Sequence, residues 1–182
     1  MAGITIMPDF VLDVFVQQLR TAALTDEPVK NVRELMAEAF RDPEAIRAGM
    51  PDYENDDEIL FEDDSVSIWF VRFVPGLHVP PHDHQTSATI GVYEGAEDNH
   101  FYLRESGRLV HKSTRRVGPG DMIALKPDGI HSVEAAAGES SCGIHVYLAP
   151  LSRIERSLFD WESGAARPYT DENYNAMKRV SS

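Results

Sequence analysis

The stretch that decides the fold is Pro75–His84, which reads PGLHVPPHDH and is followed at residues 91–95 by GVYEG. Its centre is the pair His82 and His84. If the stretch is a β-strand, side chains two residues apart share one face, and the two imidazoles lie roughly 6–7 Å apart along it. Two imidazoles at that spacing can bind one metal ion, whereas Asp83 between them points to the opposite face. The stretch therefore predicts a strand that carries two metal ligands.

Two prolines, Pro80 and Pro81, precede this pair. Proline has no backbone N–H to donate to a neighbouring strand, so we expect them at the entrance of a strand or at a sheet edge. From Ile59 onward the hydrophobic period is two residues and Gly- or Pro-rich turns recur, which predicts many short strands without intervening helices. This pattern is typical of an antiparallel sandwich or barrel. The expected strands are 59–62, 66–74, 79–84, 88–93, 100–105, 109–117, 122–125, 132–136 and 141–148.

The residues before this region show helical spacing instead, which we interpret as three helices packing on the β-structure. The expected buried face of the first helix consists of Phe10, Val11, Val14, Phe15 and Leu19, with Pro8 at its first position. We therefore divide the chain into an N-terminal helical segment (1–56), a β-barrel (57–150) and a C-terminal extension (151–182), all in one compact domain. In the extension we expect helical turns around 152–159 and 171–179.

The composition limits the function classes. The chain has 182 residues, 42% of them hydrophobic and 26% charged, which fits one globular domain. A net charge of −13 argues against a nucleic-acid surface, because binding phosphates needs clustered Lys and Arg, and it gives no support to an anionic membrane. Cys142 is the only cysteine, so an intramolecular disulfide and a Cys-based zinc site are excluded. No apolar run reaches transmembrane length and no secretion signal is recognisable, so we expect a cytoplasmic protein.

A third histidine, His131, ends a second motif. This motif has Gly120 before a strand and reads Pro-x-Gly-x-His at residues 127–131. Together with the opening pair and the preceding Gly76, the order of the two motifs resembles the signature of the cupin superfamily. The resemblance implies an all-β double-stranded β-helix, a jelly-roll barrel with a metal site inside, because neutral imidazoles bind divalent first-row metals. The implied ligands are His82, His84 and His131.

The chain departs from the general cupin pattern at one ligand. Many cupins carry a glutamate four or five residues after the second histidine, as a fourth ligand. In this chain those positions are Ala88 and Thr89, and no carboxylate occurs between Asp83 and Glu94. The predicted site therefore has three neutral ligands, so an Fe(II) ion bound there keeps its positive charge and about three open positions. Such a site suits an anionic substrate, such as a thiolate, beside dioxygen.

A later strand carries another pair of polar side chains. Gly143, His145 and Tyr147 share one strand face, so His145 can orient the Tyr147 hydroxyl toward the open side of the metal. Thiol dioxygenases of the cysteine dioxygenase type have Ser-x-His-x-Tyr in this place, and Gly143 replaces that serine. We take Tyr147 and His145 as candidate catalytic residues, with a Tyr–His hydrogen bond that serves only the core as the alternative.

The chain also resembles a narrower group, the predicted metal-dependent double-stranded β-helix proteins related to cysteine dioxygenase type I. The resemblance runs from about Ile59 to Tyr169 and includes both histidine motifs, the run at residues 144–147 and the Pro168-Tyr169 pair. It implies a mononuclear non-haem Fe(II) dioxygenase that converts a small thiol to a sulfinate. The expected partners are therefore a small thiol and dioxygen, and a homo-oligomer is compatible with the sequence.

Other functions remain open at this level. Zinc, nickel or manganese is the alternative to iron, and the protein would then be a metal-dependent isomerase or lyase without oxygen chemistry. A non-enzymatic cupin that binds a small ligand is the second alternative. Arg72, in an apolar strand, is a candidate for binding a substrate carboxylate, because a guanidinium binds carboxylates in a bidentate manner. The competing arginines are Arg104, Arg115 and Arg116. The histidines expected at the surface or the rim are His78, His100 and His111.

Overall fold

The structure, a computed structural model, describes residues 10–136 and 138–181. No helix in these ranges is long and apolar enough to cross a membrane. The helices are α1 (Leu12–Ala23), α2 (Pro28–Ala39), α3 (Pro43–Gly49) and α4 (Asp171–Met177). The strands are β1 (Asp57–Glu62), β2 (Ser67–Phe73), β3 (Leu77–His82), β4 (Ala88–Glu94), β5 (Glu97–Glu105), β6 (Arg108–Val117), β7 (Met122–Leu125), β8 (Ile130–Ala135), β9 (Ser141–Tyr147), β10 (Ser157–Phe159), β11 (Ala166–Pro168) and β12 (Arg179–Val180). All nine predicted strands are present, with ends that differ by at most three residues.

The strands form two antiparallel sheets. The first has the order β1-β2-β9-β4-β7, and the second has the order β11-β10-β3-β8-β5-β6, with β12 also pairing to β3. Strands β2 to β9 pair as 2 with 9, 3 with 8, 4 with 7 and 5 with 6. This is the pairing of one long antiparallel ribbon folded over on itself, so it is consistent with the predicted jelly roll. Within the two described ranges no strand pairing joins the two sheets, so the predicted barrel is not closed.

The alternation of side chains gives the first sheet an inner and an outer face. Ile90 and Tyr147 face inward, whereas Phe70 packs outward in one cluster with the side chains of α1, α2 and α3. Gly91 is required at this outer contact, because a Cβ there would lie 2.5 Å from the Phe40 ring. The three helices therefore cover the outer face of the first sheet and leave the space between the sheets free for a site.

The buried face of α1 differs in part from the expected one. The side chains that α1 buries are Phe15, Val16 and Leu19. Val11 and Val14 are instead 52% and 54% exposed, so their predicted burial is wrong. Helical spacing predicts an apolar stripe along the helix. It does not show which of two adjacent apolar rows is buried, because this depends on the element that the helix packs against. The expected role of Pro8 lies outside the described residues.

The opening stretch forms β3, but the strand ends at His82, so His84 lies just beyond it and not on it as predicted. The two prolines lie inside β3, between neighbouring strands, rather than at an entrance or an edge. The register with β8 shifts between Val79 and His82, and on the other side β12 pairs with residues 77–78 and β10 with His82. The prolines therefore occupy the part of β3 where neither neighbour is in register with it, so their missing N–H groups break no ladder.

The C-terminal extension is built into the second sheet. The helical turn expected around 152–159 is wrong except for one turn of 3-10 helix at Leu151–Arg153, because Ser157–Phe159 form β10. The second expected turn is present as α4 and precedes β12. Asp83 joins this segment to the opening stretch, since its carboxylate accepts a hydrogen bond from the Ser157 N–H at 2.9 Å. The extension therefore packs directly beside the histidine pair.

Candidate metal centre

The three predicted histidine ligands lie together at the inner face of the second sheet. His82 is the last residue of β3, His131 lies opposite it in β8, and His84 follows β3 by two residues. One nitrogen of each imidazole lies within 4.8 Å of the other two, and the ring centroids of His82 and His131 are 4.5 Å apart. We call these three residues the inner cluster. Its side chains come from three places in the chain that only the strand pairing brings together.

A tight turn positions His84. Gln85 has a left-handed φ of 52°, and its N–H donates to the Pro127 carbonyl at 3.0 Å. The Asp83 carboxylate also accepts a hydrogen bond from the Gln85 side chain at 2.8 Å. These contacts connect the turn to the loop before β8, so they hold His84 near His131.

The hydrogen bonds of two rings leave a nitrogen free on each. His82 Nδ1 donates to the Pro80 carbonyl at 2.8 Å, and His131 Nδ1 donates to Asn99 Oδ1 at 2.9 Å. His131 Nε2 and His84 Nδ1 are buried and have no hydrogen-bond partner among the described residues. A buried ring nitrogen without a partner is costly unless it binds something. These unpartnered nitrogens therefore fit a metal ion held by the inner cluster.

Burial also keeps these imidazoles neutral. It lowers the pKa of His82 to about 4, with the charge of Arg156 as the next cause. It also lowers the pKa values of His84 and His131 well below the ordinary range. A metal ion binds the neutral imidazole, so no proton has to be displaced at neutral pH. The protonation state therefore suits metal binding.

No carboxylate joins the inner cluster in the part of the chain that the structure describes. Ala88, one of the two positions at which many cupins carry a glutamate ligand, pairs with Tyr147 and faces inward with it. The side chain that faces inward there is therefore only a methyl group. Thr89 pairs with Val146, on the side of the helices. The donor set is therefore three neutral imidazoles.

A buried hydrogen-bond chain supports His131 from behind. Asn99 accepts from His131 and donates to Glu97 Oε1 at 3.0 Å, and all three side chains are at most 2% exposed. Burial raises the pKa of Glu97 to about 7, and the hydrogen bond from Asn99 acts in the opposite direction. The sequence predicted that this strand begins at residue 100 and that Glu97 is solvated in the turn before it, so neither Glu97 nor Asn99 was given a role at the site. The burial of Glu97 in β5 shows that this expectation is wrong. The available signal was the alternation along β5, which places both on the face of the inner cluster.

We expect Asn99→Ala to weaken metal binding by about 10–100-fold, because ligand-orienting partners typically contribute that much to affinity. The affinity is measured by titrating metal-free protein with Co²⁺ in competition with a chelator. Asn31→Ala, in α2, is the matched control and should bind Co²⁺ as the wild type does. Equal affinities for Asn99→Ala and the wild type would refute an orienting role for this amide.

Glu97 predicts a pH-dependent change in stability. Its pKa of about 7 in the folded state lies above the ordinary 4.5, so between these values the folded protein keeps a proton that the unfolded chain releases. The free energy of unfolding therefore falls as the pH rises through this window, by about 3 kcal/mol. We expect Glu97→Gln to remove this loss, so its stability relative to the wild type should be higher at pH 8 than at pH 5.

Urea unfolding of both proteins at the two pH values measures this difference. The buried histidines, whose pKa values are lowered, give the opposite slope below pH 6.5, and their contribution is the same in both proteins. Comparing Glu97→Gln with the wild type therefore isolates the carboxyl group. A stability difference that is the same at pH 5 and pH 8 would contradict the prediction.

The predicted pair His145 and Tyr147 faces the inner cluster from β9. His145 Nδ1 and the Tyr147 hydroxyl are 3.1 Å apart, and the ring centroids of Tyr147 and His84 are 5.1 Å apart. Burial raises the pKa of Tyr147 above its ordinary range and lowers the pKa of His145 to about 3. At neutral pH the pair therefore presents an un-ionised hydroxyl and a neutral imidazole beside the inner cluster.

The glycine at position 143, where thiol dioxygenases of the cysteine dioxygenase type have a serine, has a packing reason. A Cβ at Gly143 would lie 2.7 Å from the Gly91 carbonyl oxygen, where β4 and β9 approach closely. A serine would have to push these two backbones apart, which is costly in the middle of a sheet. In this chain His145 therefore contacts Tyr147 without a serine partner.

A cavity of about 440 Å³ lies against the inner cluster. Its walls include aromatic side chains of the first sheet and of the C-terminal extension, among them Trp69, Tyr169 and Tyr174. The ring centroids of Tyr169 and His82 are 5.8 Å apart. A cavity of this volume, lined by both apolar and polar side chains, suits a small molecule that carries polar groups.

Arg72 lines this cavity, but other residues already engage its guanidinium. Its Nε donates to Asp56 at 2.8 Å, and its terminal nitrogens donate to backbone carbonyls of residues 53–55. These bonds hold the segment before β1 against β2. Its role in binding a substrate carboxylate therefore stays a prediction.

A second arginine, Arg156, also lines the cavity, and sequence reasoning missed it. Its guanidinium carbon lies 3.6 Å from the centroid of the Tyr169 ring. Burial is the main cause of the shifted pKa values of His82 and Tyr147, and the charge of Arg156 is the second cause. Arg156 therefore lies near both residues. The available signal was the Pro168-Tyr169 pair, through which the resemblance described above reaches into the C-terminal extension.

Comparisons with known proteins yield only structural neighbours. No protein-family model and no curated protein matches this chain. A double-stranded β-helix protein from Klebsiella pneumoniae is 16% identical with a TM-score of 0.45, and the match covers 87% of this chain and 96% of that one. A cupin superfamily protein from Desulfitobacterium hafniense is 17% identical with a TM-score of 0.44, over 56% of this chain and 85% of that one.

A third neighbour is a variant of the oxalate decarboxylase from Bacillus subtilis. It is 16% identical with a TM-score of 0.41, and the match covers 56% of this chain and 31% of that enzyme. The present chain thus spans about a third of it.

Proposed function

We propose that the protein is an Fe(II)-dependent dioxygenase of a small thiol. The observation that carries this proposal is the uncharged inner cluster (His82, His84 and His131) facing the His145–Tyr147 pair in one cavity. Three neutral ligands leave a bound divalent ion its full charge, which favours an anionic thiolate as the incoming group. When bound, iron supplies the activation of dioxygen and the transfer of both oxygen atoms to sulfur, which yields a sulfinate.

Tyr147 donates a hydrogen bond in this chemistry. Because the pKa of Tyr147 is raised, its hydroxyl keeps the proton at neutral pH and is available as a donor or proton source. His145, 3.1 Å away, fixes the direction of that hydroxyl. The aromatic rings of Trp69, Tyr169 and Tyr174 line part of the cavity in which the thiolate would bind.

Arg156 binds the anionic group of the substrate. A planar guanidinium binds a carboxylate through two parallel hydrogen bonds, and the Tyr169 ring supports its flat face. Arg72 is the less suitable arginine, because Asp56 and the backbone carbonyls use its donors. The proposed substrate class is therefore a small thiol that carries a carboxylate.

Oxygen uptake by the iron-loaded protein tests the proposal. A panel of small thiols with a carboxylate, an amine, both or neither is supplied, and sulfinate is quantified by mass spectrometry. We expect oxygen consumption matched by sulfinate, with carboxylate-bearing thiols preferred. If no thiol supports uptake although iron is bound stoichiometrically, the thiol chemistry is refuted. Full occupancy by zinc alone in protein made without added metal would favour a Lewis-acid isomerase or lyase instead.

A further inference from the structure

A second set of potential metal ligands lies on the opposite face of the second sheet. His78 in β3, His100 in β5 and Glu134 in β8 belong to the same three strands as the inner face, but alternate to its outer side. Glu134 is the register partner of His78, and His100 is the partner of Ser132, the next residue along β8 that faces outward, so the three strands hold His78, His100 and Glu134 side by side. We call His78, His100 and Glu134 the outer cluster.

The spacing of the outer cluster fits a metal ion. One ligand atom from each residue lies within 4.8 Å of the other two. His100 Nε2 is 3.1 Å from Glu134 Oε1, and His78 Nδ1 is 4.0 Å from Glu134 Oε2. Two ligands on one first-row ion at about 2.1 Å each are themselves about 3–3.5 Å apart, so small rotations of these side chains suffice.

We propose that the outer cluster is a second binding site for a divalent first-row metal such as zinc, independent of the chemistry in the cavity. The two imidazoles and the carboxylate supply three ligands, and water completes the shell. This donor set differs from the inner cluster because it includes a carboxylate, which neutralises part of the metal charge. Such a set is typical of first-row divalent ions in proteins.

Neighbouring hydroxyls already orient both rings. His100 Nδ1 lies 2.8 Å from Thr114 Oγ1, which leaves Nε2 pointing at Glu134. His78 Nε2 lies 3.1 Å from Ser132 Oγ, which leaves Nδ1 on the side of Glu134. Metal-bound histidines commonly have their second nitrogen held in this way. The arrangement therefore resembles a metal site with its supporting hydrogen bonds in place.

The outer cluster is accessible to ions from solvent. The side chains of His78 and His100 are 23% and 20% exposed, and that of Glu134 is 43% exposed. The nearby fixed charges are Arg179, which acts on the pKa of His78, and Asp98, which pairs with Arg116 at 2.7 Å. With Asp98 neutralised by Arg116, the Glu134 carboxylate is the anionic group that attracts a cation here.

A metal at this position would reinforce the support of the inner cluster. It would join β3, β5 and β8 from outside, while His82, Asn99 and His131 extend from the same strands inside. His78 also packs edge-on against Trp161, with ring centroids 4.7 Å apart. The outer metal would thus also restrain the C-terminal extension.

Zinc titration of the metal-free protein, followed by calorimetry, tests the inference. We expect two binding events in the wild type, of which the double variant His82→Ala/His131→Ala keeps one. His100→Ala should also keep one binding event. This event is the one at the inner cluster, which the double variant loses. The matched control is Glu44→Ala, an exposed carboxylate in α3 on the outer face of the first sheet, which should keep both. Circular dichroism verifies that each variant is folded.

A second readout separates the outer site from the inner one. In His82→Ala/His131→Ala, added zinc should raise the melting temperature, because an ion that binds only the folded state stabilises it. Adding Glu134→Gln, a conservative change at an exposed side chain, should abolish this rise. A single binding event in the wild type, together with no zinc effect on the melting temperature of the double variant, would overturn the proposal. Neither result depends on whether the cavity oxidises thiols.

Discussion

His131→Ala is expected to lose its iron and, with it, the thiol-dependent oxygen uptake. His131 supplies one of three ligands, and its Nε2 is buried without another partner among the described residues. Loss of an orienting partner alone costs about 10–100-fold in metal affinity, so loss of a ligand should exceed about 100-fold. Iron content after gel filtration and oxygen uptake with the best thiol of the panel measure the effect.

The buried position of His131 requires a folding control. The side chain is 1% exposed, so alanine leaves a cavity that costs about 2–5 kcal/mol, in line with other large-to-small core substitutions. His131→Gln keeps most of the volume and serves as the second variant, while His111→Ala on the outer face is the matched control. A folded His131→Gln protein with wild-type iron content would show that this residue is not a ligand.

Arg156→Ala should raise the KM for a carboxylate-bearing thiol by about 10–100-fold, since hydrogen bonds to a charged group contribute about 1.5–3 kcal/mol. For a thiol of similar size without a carboxylate, the KM should stay near the wild-type value. Arg156→Lys keeps the charge but loses the planar pair of donors, so we expect an intermediate KM. Steady-state oxygen uptake with the two thiols measures the contrast.

Arg72→Ala is the matched control for this experiment. Arg72 borders the same cavity, but its donors hold residues 53–56, so its loss should lower stability without a preference for carboxylate-bearing thiols. If the carboxylate-specific rise in KM follows Arg72→Ala and not Arg156→Ala, the original sequence prediction for Arg72 is correct. The pair of variants therefore assigns the anion-binding residue directly.

Local sequence patterns predicted the strands well, because the alternation of apolar and polar residues and the turn residues between strands depend only on positions close together in the sequence. The strand at 122–125 has the predicted ends, and every other predicted strand is present with shifted ends. The extension was mispredicted around 152–159, since β10 is only three residues long and depends on its pairing to β3 and β11. A strand that short carries too few residues for its period to be recognised.

The histidine spacing and the missing glutamate could be predicted from the sequence, because each depends on positions close together in one motif. The sequence could not indicate that two arginines line the cavity, or that the donors of Arg72 are already engaged. Arg72 and Arg156 are 84 positions apart, and their environments depend on the segment before β1 and on the extension. The hydrogen-bond chain through Asn99 to Glu97 depends in the same way on the pairing of β5 with β8.

By itself, the sequence determined the two-residue alternation of the strands and the chemistry of the donors: three imidazoles without a carboxylate, and a His–Tyr pair on one strand face. The tertiary structure decided which ring nitrogens are left without partners, which of the two arginines at the cavity has its donors engaged, and that the outer faces of the same strands hold a second set of potential ligands. Covalent neighbours set which side of a strand a residue faces, but distances between groups far apart in the chain arise only when the strands pair.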